Sequence, residues 1–326
     1  MHIIVTGGLG FIGSNFIREL LSNNSDIFIT NIDAETYAGR LDNLIDIEDK
    51  KNYQYFKGKI QDFDFVDSLL VKYKPDAIIN FAAETHVDRS IQASEPFIET
   101  NIIGTHVLLK LSLKHKIKKY IQISTDEVYG SVLPPAKFSE TSQIKPNSPY
   151  SASKASADHL VRAYFKTYSL NTITVRCSNN FGPYQFPEKI IPYFISLALE
   201  DKKVPVYGDG LNVRDWIYVA DFCSAISLVL EKGKPGEVYN VGGDCELTNL
   251  ELTKKILKKL GKSESLISFV EDRLGHDRRY AMDSTKIKGE LSWKKKYNFD
   301  EALDKTINWY KNNKEWIERR TRQFVS

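Results

Sequence analysis

The sequence predicts an α/β protein in which a doubly wound parallel sheet carries a smaller C-terminal α/β lobe. Short β-rich runs alternate with long helical patterns through the first half of the chain, as in folds of this class. A glycine-rich turn follows the first of these runs, where such sheets bind ligands. The length of 326 residues allows two modest domains.

The first half of the chain provides the strands and helices of the predicted sheet. Apolar runs predict strands at residues 2–6, 26–33, 53–56, 77–83, 120–125 and 172–178. Helical spacing of apolar residues predicts helices at residues 11–21, 63–73, 96–115 and 150–169. Helices of this length between strands imply right-handed crossovers, so neighbouring strands are expected to run parallel.

The second half of the chain has a less regular pattern. Its first stretch is predicted to be rich in loops because it is interrupted by Pro183, Pro187 and Pro192. The elements predicted beyond it are strands at 215–221 and 237–243 and helices at about 221–232, 248–260 and 300–318.

These patterns also predict a division into domains. We expect residues 1–180, with a returning segment at about 214–243, to form the sheet domain. We expect residues 181–213 and 244–326 to form the smaller lobe, packed against the carboxyl ends of the strands.

Composition excludes several classes of protein. The mixture of 42% hydrophobic and 27% charged residues is globular, and no apolar stretch approaches the ~18 residues of a membrane helix. A net charge of +3 without a basic, aromatic-rich run argues against a nucleic-acid partner. Three separated cysteines without CxxC, and no basic leader before the first strand, favour a cytoplasmic protein. The six histidines form no HExxH motif, so no metal site is expected.

The glycine-rich turn has the spacing of a dinucleotide-binding motif. It fits GxxGxxG through Gly7, Gly10 and Gly13, and it fits GxGxxG when Gly8 replaces Gly7. Asp33 lies 20 residues beyond Gly13, at the end of the second predicted strand. A carboxylate there can accept hydrogen bonds from the adenosine ribose and repels a 2′-phosphate. The sequence therefore predicts a Rossmann-type turn that binds NAD rather than NADP.

A tyrosine and a lysine share one face of the predicted helix at 150–169. Tyr150 and Lys154 are four residues apart, so the phenol and the ammonium point into the same cleft. A nearby cation lowers the pKa of a phenol, which can then act as a general base on a sugar hydroxyl. The strand ending at Ser124 and Thr125 is expected to bring a hydroxyl to the same place.

Together, these motifs resemble the extended short-chain dehydrogenase/reductase family, which acts on nucleotide sugars, and the resemblance covers nearly the whole chain. It implies a tightly bound NAD that is regenerated in each turnover, and a homodimer formed through a four-helix bundle of helices 96–115 and 150–169. The cofactor contacts that it implies are Gly7, Gly10, Phe11, Ile12, Gly13, Asp33, Ile60, Ala82, Ala83, Tyr150, Lys154 and Asn180. The substrate contacts that it implies are Thr85, His86, Asp88, Arg89, Thr125, Asn179, Glu188, Lys189, Pro205, Tyr207, Arg214, Asn249, His276, Arg278 and Tyr280.

Two adjacent carboxylates follow Thr125 and suggest which reaction the family member performs. Dehydration needs a base for the proton beside a new ketone and an acid for the departing hydroxyl, and neighbouring carboxylates can divide these roles. The resemblance assigns Asp126 as the acid at the C6 hydroxyl, Glu127 as the base at C5, and Tyr150 as the base at C4, with Thr125 hydrogen-bonded to the C4 oxygen. The expected activity is 4,6-dehydration of a nucleotide-glucose, with dTDP-glucose preferred, on a route to deoxysugars such as rhamnose.

Three alternatives remain open from the sequence. A nucleotide-sugar 4-epimerase needs only oxidation and re-reduction of one carbon, and usually has no acid pair at this position. A 4,6-dehydratase could also act on a UDP-, CDP- or GDP-sugar, because base selection rests on a few loop contacts. The third alternative is a non-catalytic NAD-binding regulator, against which the intact Tyr150, Lys154, Asp126 and Glu127 argue.

The chain departs from the family pattern at two positions. Lys59 stands where the family usually has an aspartate that meets the adenine amine, and an ammonium cannot accept that hydrogen bond. Adenine binding is therefore expected to rely on backbone groups or on Asp62. Leu274 replaces the usual proline before Gly275 and is expected to loosen that loop.

Overall fold

The computed structural model describes residues 1–272 and 275–321 of the chain. Its strands are β1 (His2–Thr6), β2 (Phe28–Asp33), β3 (Tyr53–Lys57), β4 (Ala77–Asn80), β5 (Lys119–Thr125), β6 (Thr172–Cys177), β7 (Asn179–Phe181), β8 (Val204–Tyr207), β9 (Val213–Tyr218), β10 (Val238–Val241), β11 (Glu246–Thr248) and β12 (Ile267–Val270). Its longer helices are α1 (Phe11–Asn23), α2 (Phe63–Tyr73), α5 (Thr105–Lys114), α6 (Pro149–Tyr168), α7 (Ile190–Leu199), α8 (Val219–Lys232), α9 (Asn249–Leu260) and α11 (Phe299–Asn312). The shorter ones are α3 (Val87–Gln92), α4 (Glu95–Phe97), α10 (Thr285–Leu291) and α12 (Lys314–Thr321).

The predicted doubly wound parallel sheet is confirmed. Within the described residues it has seven strands in the order β10-β6-β5-β4-β1-β2-β3, and every neighbouring pair is parallel. The strand order reverses between β1 and β4, which leaves a crevice at their carboxyl ends. The glycine-rich turn and the segments after β4, β5 and β6 therefore meet at one edge of the sheet.

Two helical layers cover the sheet because the side chains of each strand alternate between its faces. Ile3 and Val5 of β1 are fully buried in the larger apolar core, which also contains Phe16 of α1 and Phe222 of α8. Ile4, between them in sequence, is buried in a second core that includes residues of α2, α5 and α6. Among the described residues, no helix combines the length and hydrophobicity needed to cross a bilayer.

In the part of the chain that the structure describes, two smaller sheets lie outside the central one. Strands β11, β9 and β7 form one of them, and β12 pairs with β8 in the other. Of the predicted returning segment at about 214–243, β10 joins the central sheet, whereas β9 joins the three-stranded sheet. The predicted division of the chain into domains stays a prediction.

Several element boundaries differ from those predicted. The fourth strand ends at Asn80 rather than at residue 83, because the chain leaves the sheet there to line the crevice. The helix predicted at 96–115 is interrupted by a π-helical segment, Ile98–Gly104, between α4 and α5. The helix predicted at 300–318 is two helices that meet at Asn313. Helix α7 lies in a stretch that is predicted to be rich in loops. Pro192 does not prevent the helix, because it falls in the first turn, where proline is tolerated.

Candidate active site

A cleft of about 520 Å³ opens at the carboxyl ends of β1, β4, β5 and β6. The five residues predicted to be catalytic all line this cleft: Thr125, Asp126, Glu127, Tyr150 and Lys154. The predicted cofactor contacts line it as well: Gly7, Gly10, Phe11, Ile12, Gly13, Asp33, Ile60, Ala82, Ala83 and Asn180. The sheet edge therefore brings together residues that are far apart in sequence.

At two glycines of the turn, a Cβ would clash with backbone atoms. Gly7 has a φ of +70°, and a Cβ there would lie 2.5 Å from the backbone nitrogen of Ala82. A Cβ at Gly13 would lie 2.4 Å from the carbonyl oxygen of Gly7. The turn leads into α1, whose first backbone N–H groups have no partners within the helix. This arrangement fits the diphosphate of a dinucleotide.

Asp33 connects the turn to the segment after β2. Its side chain is only 7% exposed, and its two oxygens accept hydrogen bonds from the backbone N–H groups of Leu9 and Glu35, both at 2.9 Å. Burial raises the pKa of this carboxyl, which the two backbone hydrogen bonds oppose. Each oxygen retains a second lone pair, and Asp33 lines the cleft, so the residue fits the ribose contact that the sequence predicts.

Backbone groups and Asp62 are the two expected replacements for the aspartate that is missing at position 59, and the structure distinguishes between them. Gly58, Lys59, Ile60 and Gln61 line the cleft. Asp62 is not among the cleft-lining residues that the structure describes, and its carboxylate accepts the backbone N–H at the start of α2, 3.0 Å away. The geometry therefore favours backbone groups or Gln61 for the base. Leu274 lies outside the described residues.

Tyr150 and Lys154 lie on the first turns of α6 and are 7% and 5% exposed. The Lys154 ammonium donates to the carbonyl oxygen of Ile123 at 2.7 Å. Burial, followed by the Glu127 carboxylate, holds the pKa of Tyr150 well above its usual value, although a hydrogen bond with Thr125 opposes the shift. This shift is opposite in direction to the one expected from a neighbouring cation, and burial is its largest cause.

Asp126 and Glu127 are consecutive but lie in different environments. Asp126 is 2% exposed, and burial, with Glu127 and Asp215 adding to it, raises its pKa well above the usual value. Glu127 is half-buried, and Ser151 Oγ donates to its Oε2 at 3.4 Å. The Thr125 hydroxyl lies between them, donating to Asp126 Oδ1 at 3.2 Å and accepting from the backbone N–H of Glu127 at 3.3 Å. Burial therefore favours the protonated form of Asp126, as an acid requires.

Asn101 is a residue of this region that the sequence did not point to. It lies in the π-helical segment, is 2% exposed, and exchanges two hydrogen bonds of 3.0 Å with the backbone of Glu84 beside the cleft. Its amide also donates to Ser153, between Tyr150 and Lys154, at 2.8 Å. Asn101 thus fixes α6 to the segment after β4. A π-bulge is common at functional sites, but it has no sequence signature that could have revealed it.

Some of the predicted substrate contacts lie at the open end of the same cleft. Those that line it are Thr85, Asn179, Glu188 and Lys189. His86 Nε2 and Arg89 Nη2 each lie 3.6 Å from Glu188 Oε2. Asp88 lies in the first turn of α3 and is not among the described lining residues.

The other predicted substrate contacts form a second group that does not line this cleft: Pro205, Tyr207, Arg214, Asn249, His276, Arg278 and Tyr280. The guanidinium of Arg214 lies 4.3 Å over the ring of Tyr280. Arg278 makes two hydrogen bonds with the Asp209 carboxylate, at 2.8 and 3.0 Å. The group adjoins the acid pair, because the Arg214 charge acts on the pKa of Asp126.

Within the ranges that the structure describes, no three His, Cys, Asp or Glu side chains are grouped so that they could hold a metal ion.

Comparisons with known proteins agree with this geometry. A family model described as GDP-mannose 4,6 dehydratase matches residues 4–306. A dTDP-glucose 4,6-dehydratase from Xanthomonas campestris is 47% identical over 97% of this chain and 94% of its own length. The chain belongs to the dTDP-glucose 4,6-dehydratase family. Another relative, the low-salt glycan biosynthesis protein Agl12 of Haloferax volcanii, is 52% identical over 95% of this chain and 98% of its own.

Solved members of the dTDP-glucose 4,6-dehydratase family share the fold. The crystal structure of the Bacillus anthracis enzyme, in complex with NAD, has a TM-score of 0.93 and 50% identity, and the match covers 98% of this chain and 99% of that one. A UDP-glucose 4-epimerase from Thermotoga maritima is less similar, with a TM-score of 0.89 and 30% identity over 96% of this chain and 99% of its own. The dehydratase prediction is therefore favoured over the epimerase alternative.

Proposed function

We propose that the protein is a hydro-lyase that converts dTDP-glucose into its 4-keto-6-deoxy derivative and water. The observation that carries this proposal is the acid pair, in which Asp126 is buried and has a raised pKa, while Glu127, the next residue, is half-buried and hydrogen-bonded to Ser151. An epimerase has no use for this pair, whereas elimination across C5 and C6 needs both groups.

The cofactor of the proposed reaction is NAD. The residues that would hold it are those of the glycine-rich turn with Asp33 at the ribose, Ile60 near the base, and Ala82, Ala83 and Asn180 along the cleft. Bound there, NAD would accept a hydride from C4, return it to C6, and add positive charge beside Tyr150. Asp33 also disfavours the extra phosphate of NADP, because two buried carboxylate oxygens repel it.

Tyr150 is proposed as the base at C4. Its phenol is buried and hydrogen-bonded to Thr125, so a C4 hydroxyl in the cleft would meet two oxygen atoms that can share its proton. Added positive charge is needed before this phenol ionises, because burial alone keeps it protonated. Lys154, held in place by the Ile123 carbonyl, is the charge that the chain itself supplies.

Glu127 and Asp126 are proposed to carry out the elimination. Once C4 is a ketone, the proton on C5 is acidic and Glu127 removes it. The Asp126 carboxyl gives its proton to the C6 oxygen, which leaves as water. C5 would be reprotonated when the hydride returns to C6. Burial already favours the protonated form of Asp126, which suits this carboxyl to the role of the acid.

The diphosphate and the base are proposed to lie against the second group of predicted substrate contacts. Arg214 and Arg278 supply planar donors that match a diphosphate, and Tyr280 lies beside Arg214. UDP, CDP and GDP remain the alternatives to dTDP, because all four nucleotides present the same diphosphate to these arginines.

The proposed activity is tested by incubating the purified protein with the glucose derivatives of dTDP, UDP, CDP and GDP. We expect dTDP-glucose to lose one water, detected by mass spectrometry, whereas epimerisation would leave the mass unchanged. Glu127→Gln is expected to block water loss while C4 oxidation, seen as reduction of the bound cofactor near ~340 nm, is retained. If no nucleotide-glucose loses water, the proposal is wrong.

We also propose a cytoplasmic homodimer formed through α5 and α6. The run from α4 to α5 exposes Ile98, Ile103 and Leu113, and α6 exposes Tyr168, as a buried interface would require. Light scattering should give twice the chain mass of 37.3 kDa, and a value of 37.3 kDa would contradict the dimer.

A further inference from the structure

Tyr37 connects the segment after β2 to the loop before α7. It lies four residues beyond Asp33, in the segment after β2. Its hydroxyl donates to Glu188 Oε1 at 2.9 Å. The Arg89 guanidinium carbon lies 3.8 Å over its ring, and Phe186 meets the ring edge-on at 5.4 Å. One side chain therefore joins the dinucleotide side of the cleft to the loop before α7 and to α3.

Glu188 has one satisfied oxygen and one that needs a donor. Its side chain is only 5% exposed and lines the cleft. Tyr37 occupies Oε1, whereas Oε2 lies 3.6 Å from both His86 Nε2 and Arg89 Nη2 but has no hydrogen-bond partner among the residues that the structure describes. A buried carboxylate oxygen without a hydrogen bond is costly, so a hydroxyl group entering the cleft would find a strong acceptor.

We infer that Tyr37 is a positioning residue that fixes Glu188 so that Oε2 accepts a hydrogen bond from a hydroxyl of the sugar. The inference rests on the proposed function, because it takes the ligand to be a nucleotide-linked hexose. It also means that the segment after β2, which carries Tyr37, and the loop that carries Glu188 are ordered together, because the Tyr37 hydroxyl joins them.

The variant Tyr37→Phe tests this role because it keeps the ring against Arg89 and Phe186 and removes only the hydroxyl. Calorimetric titration of the NAD-loaded protein with dTDP-glucose and with dTDP separates sugar binding from nucleotide binding. We expect Tyr37→Phe to weaken dTDP-glucose binding about tenfold, the effect of one hydrogen bond to a charged group, and to leave dTDP binding unchanged. In a Glu188→Gln background, the same substitution should have less than half this effect.

Tyr55→Phe is the matched control. The Tyr55 hydroxyl donates to Glu35 at 2.6 Å, so the control also removes a tyrosine–carboxylate hydrogen bond from the segment after β2. Neither residue is among the described lining of the cleft. We expect the control to bind both ligands as the wild type does.

The outcomes separate this inference from the proposed function. Equal weakening of both ligands, or of neither, by Tyr37→Phe would overturn the positioning role. If the wild type neither binds nor dehydrates dTDP-glucose, the proposed function fails, and amide hydrogen exchange of residues 185–189 then decides the inference. Faster exchange in Tyr37→Phe than in Tyr55→Phe supports it, and equal exchange rejects it.

Discussion

Arg176 Nε donates to Asp158 Oδ2 at 2.8 Å, and the two side chains are 5% and 2% exposed. The pair joins β6 to α6, the helix that carries Tyr150 and Lys154. Arg176 also donates to the Tyr129 hydroxyl at 2.6 Å, so the guanidinium is held on two sides. The orientation of the catalytic helix thus depends on a charge pair that is buried beneath it.

Removal of one partner of this pair should strongly destabilise the protein. Asp158→Ala leaves the Arg176 charge buried without its carboxylate, and we expect a loss of about 3–5 kcal/mol in the free energy of unfolding. Urea denaturation measures it. Asp46→Ala is the control, because Asp46 pairs with Arg18 at the surface and is 49% exposed. A loss above about 1 kcal/mol for the control, or a loss below about 3 kcal/mol for Asp158→Ala, would contradict this account.

The buried carboxyl of Asp126 should make stability depend on pH in a defined direction. Its pKa in the folded protein is raised, so its contribution to stability is complete below the pKa of the unfolded chain and is lost as pH rises through the folded pKa. Asp126→Asn does not titrate there. We therefore expect the Tm of the variant minus that of the wild type to increase as the pH is raised from 5 to 9, above the usual range of carboxyl titration. A difference that stays constant over this range would show that burial does not act on this group.

The glycine-rich turn should not tolerate a methyl group at Gly13. A Cβ there would lie 2.4 Å from the Gly7 carbonyl oxygen, and the obstacle is backbone that cannot rotate away. We expect Gly13→Ala to lose bound NAD, measured by the ratio of absorbance at 260 and 280 nm after gel filtration. Gly289→Ala in α10 is the control, because a Cβ at that position would meet no other described part of the chain within 4 Å. Retention of NAD by Gly13→Ala would mean that the turn can rearrange.

Asn101 should contribute to stability through the backbone of Glu84. Asn101→Ala leaves a part-buried N–H and a part-buried carbonyl of Glu84 without their partner, and we expect a cost of about 1–3 kcal/mol. Ser153→Ala is the control, since it removes one partner of Asn101 and leaves the backbone contacts in place. Urea denaturation should rank Asn101→Ala as the less stable variant, and the reverse order would contradict this role.

The parts of the site that the sequence predicted are those formed by short-range motifs. The spacing from Gly7 to Gly13, the four-residue step from Tyr150 to Lys154, and the adjacency of Asp126 and Glu127 each specify a local geometry that the fold preserves. The parallel pairing of the central strands followed from the alternation of strands and helices along the chain.

The features of the site that the sequence did not predict depend on contacts between distant segments. Tyr37 and Glu188 are 151 positions apart, and nothing in either local pattern indicates that they meet. The raised pKa of Tyr150 has burial as its largest cause, and no sequence motif reports burial. The interruption of the helix before α5 has no cue in its composition.

The two backbone hydrogen bonds of Asp33 bear on how this chain could evolve. A shift towards the phosphorylated dinucleotide would require the loss of that carboxylate's charge, but the same substitution would release the N–H groups of Leu9 and Glu35 that it now holds. Selectivity between the two forms of the coenzyme is thus tied to the integrity of the loop that binds either of them. Such a change would need compensating substitutions nearby, and not a single replacement.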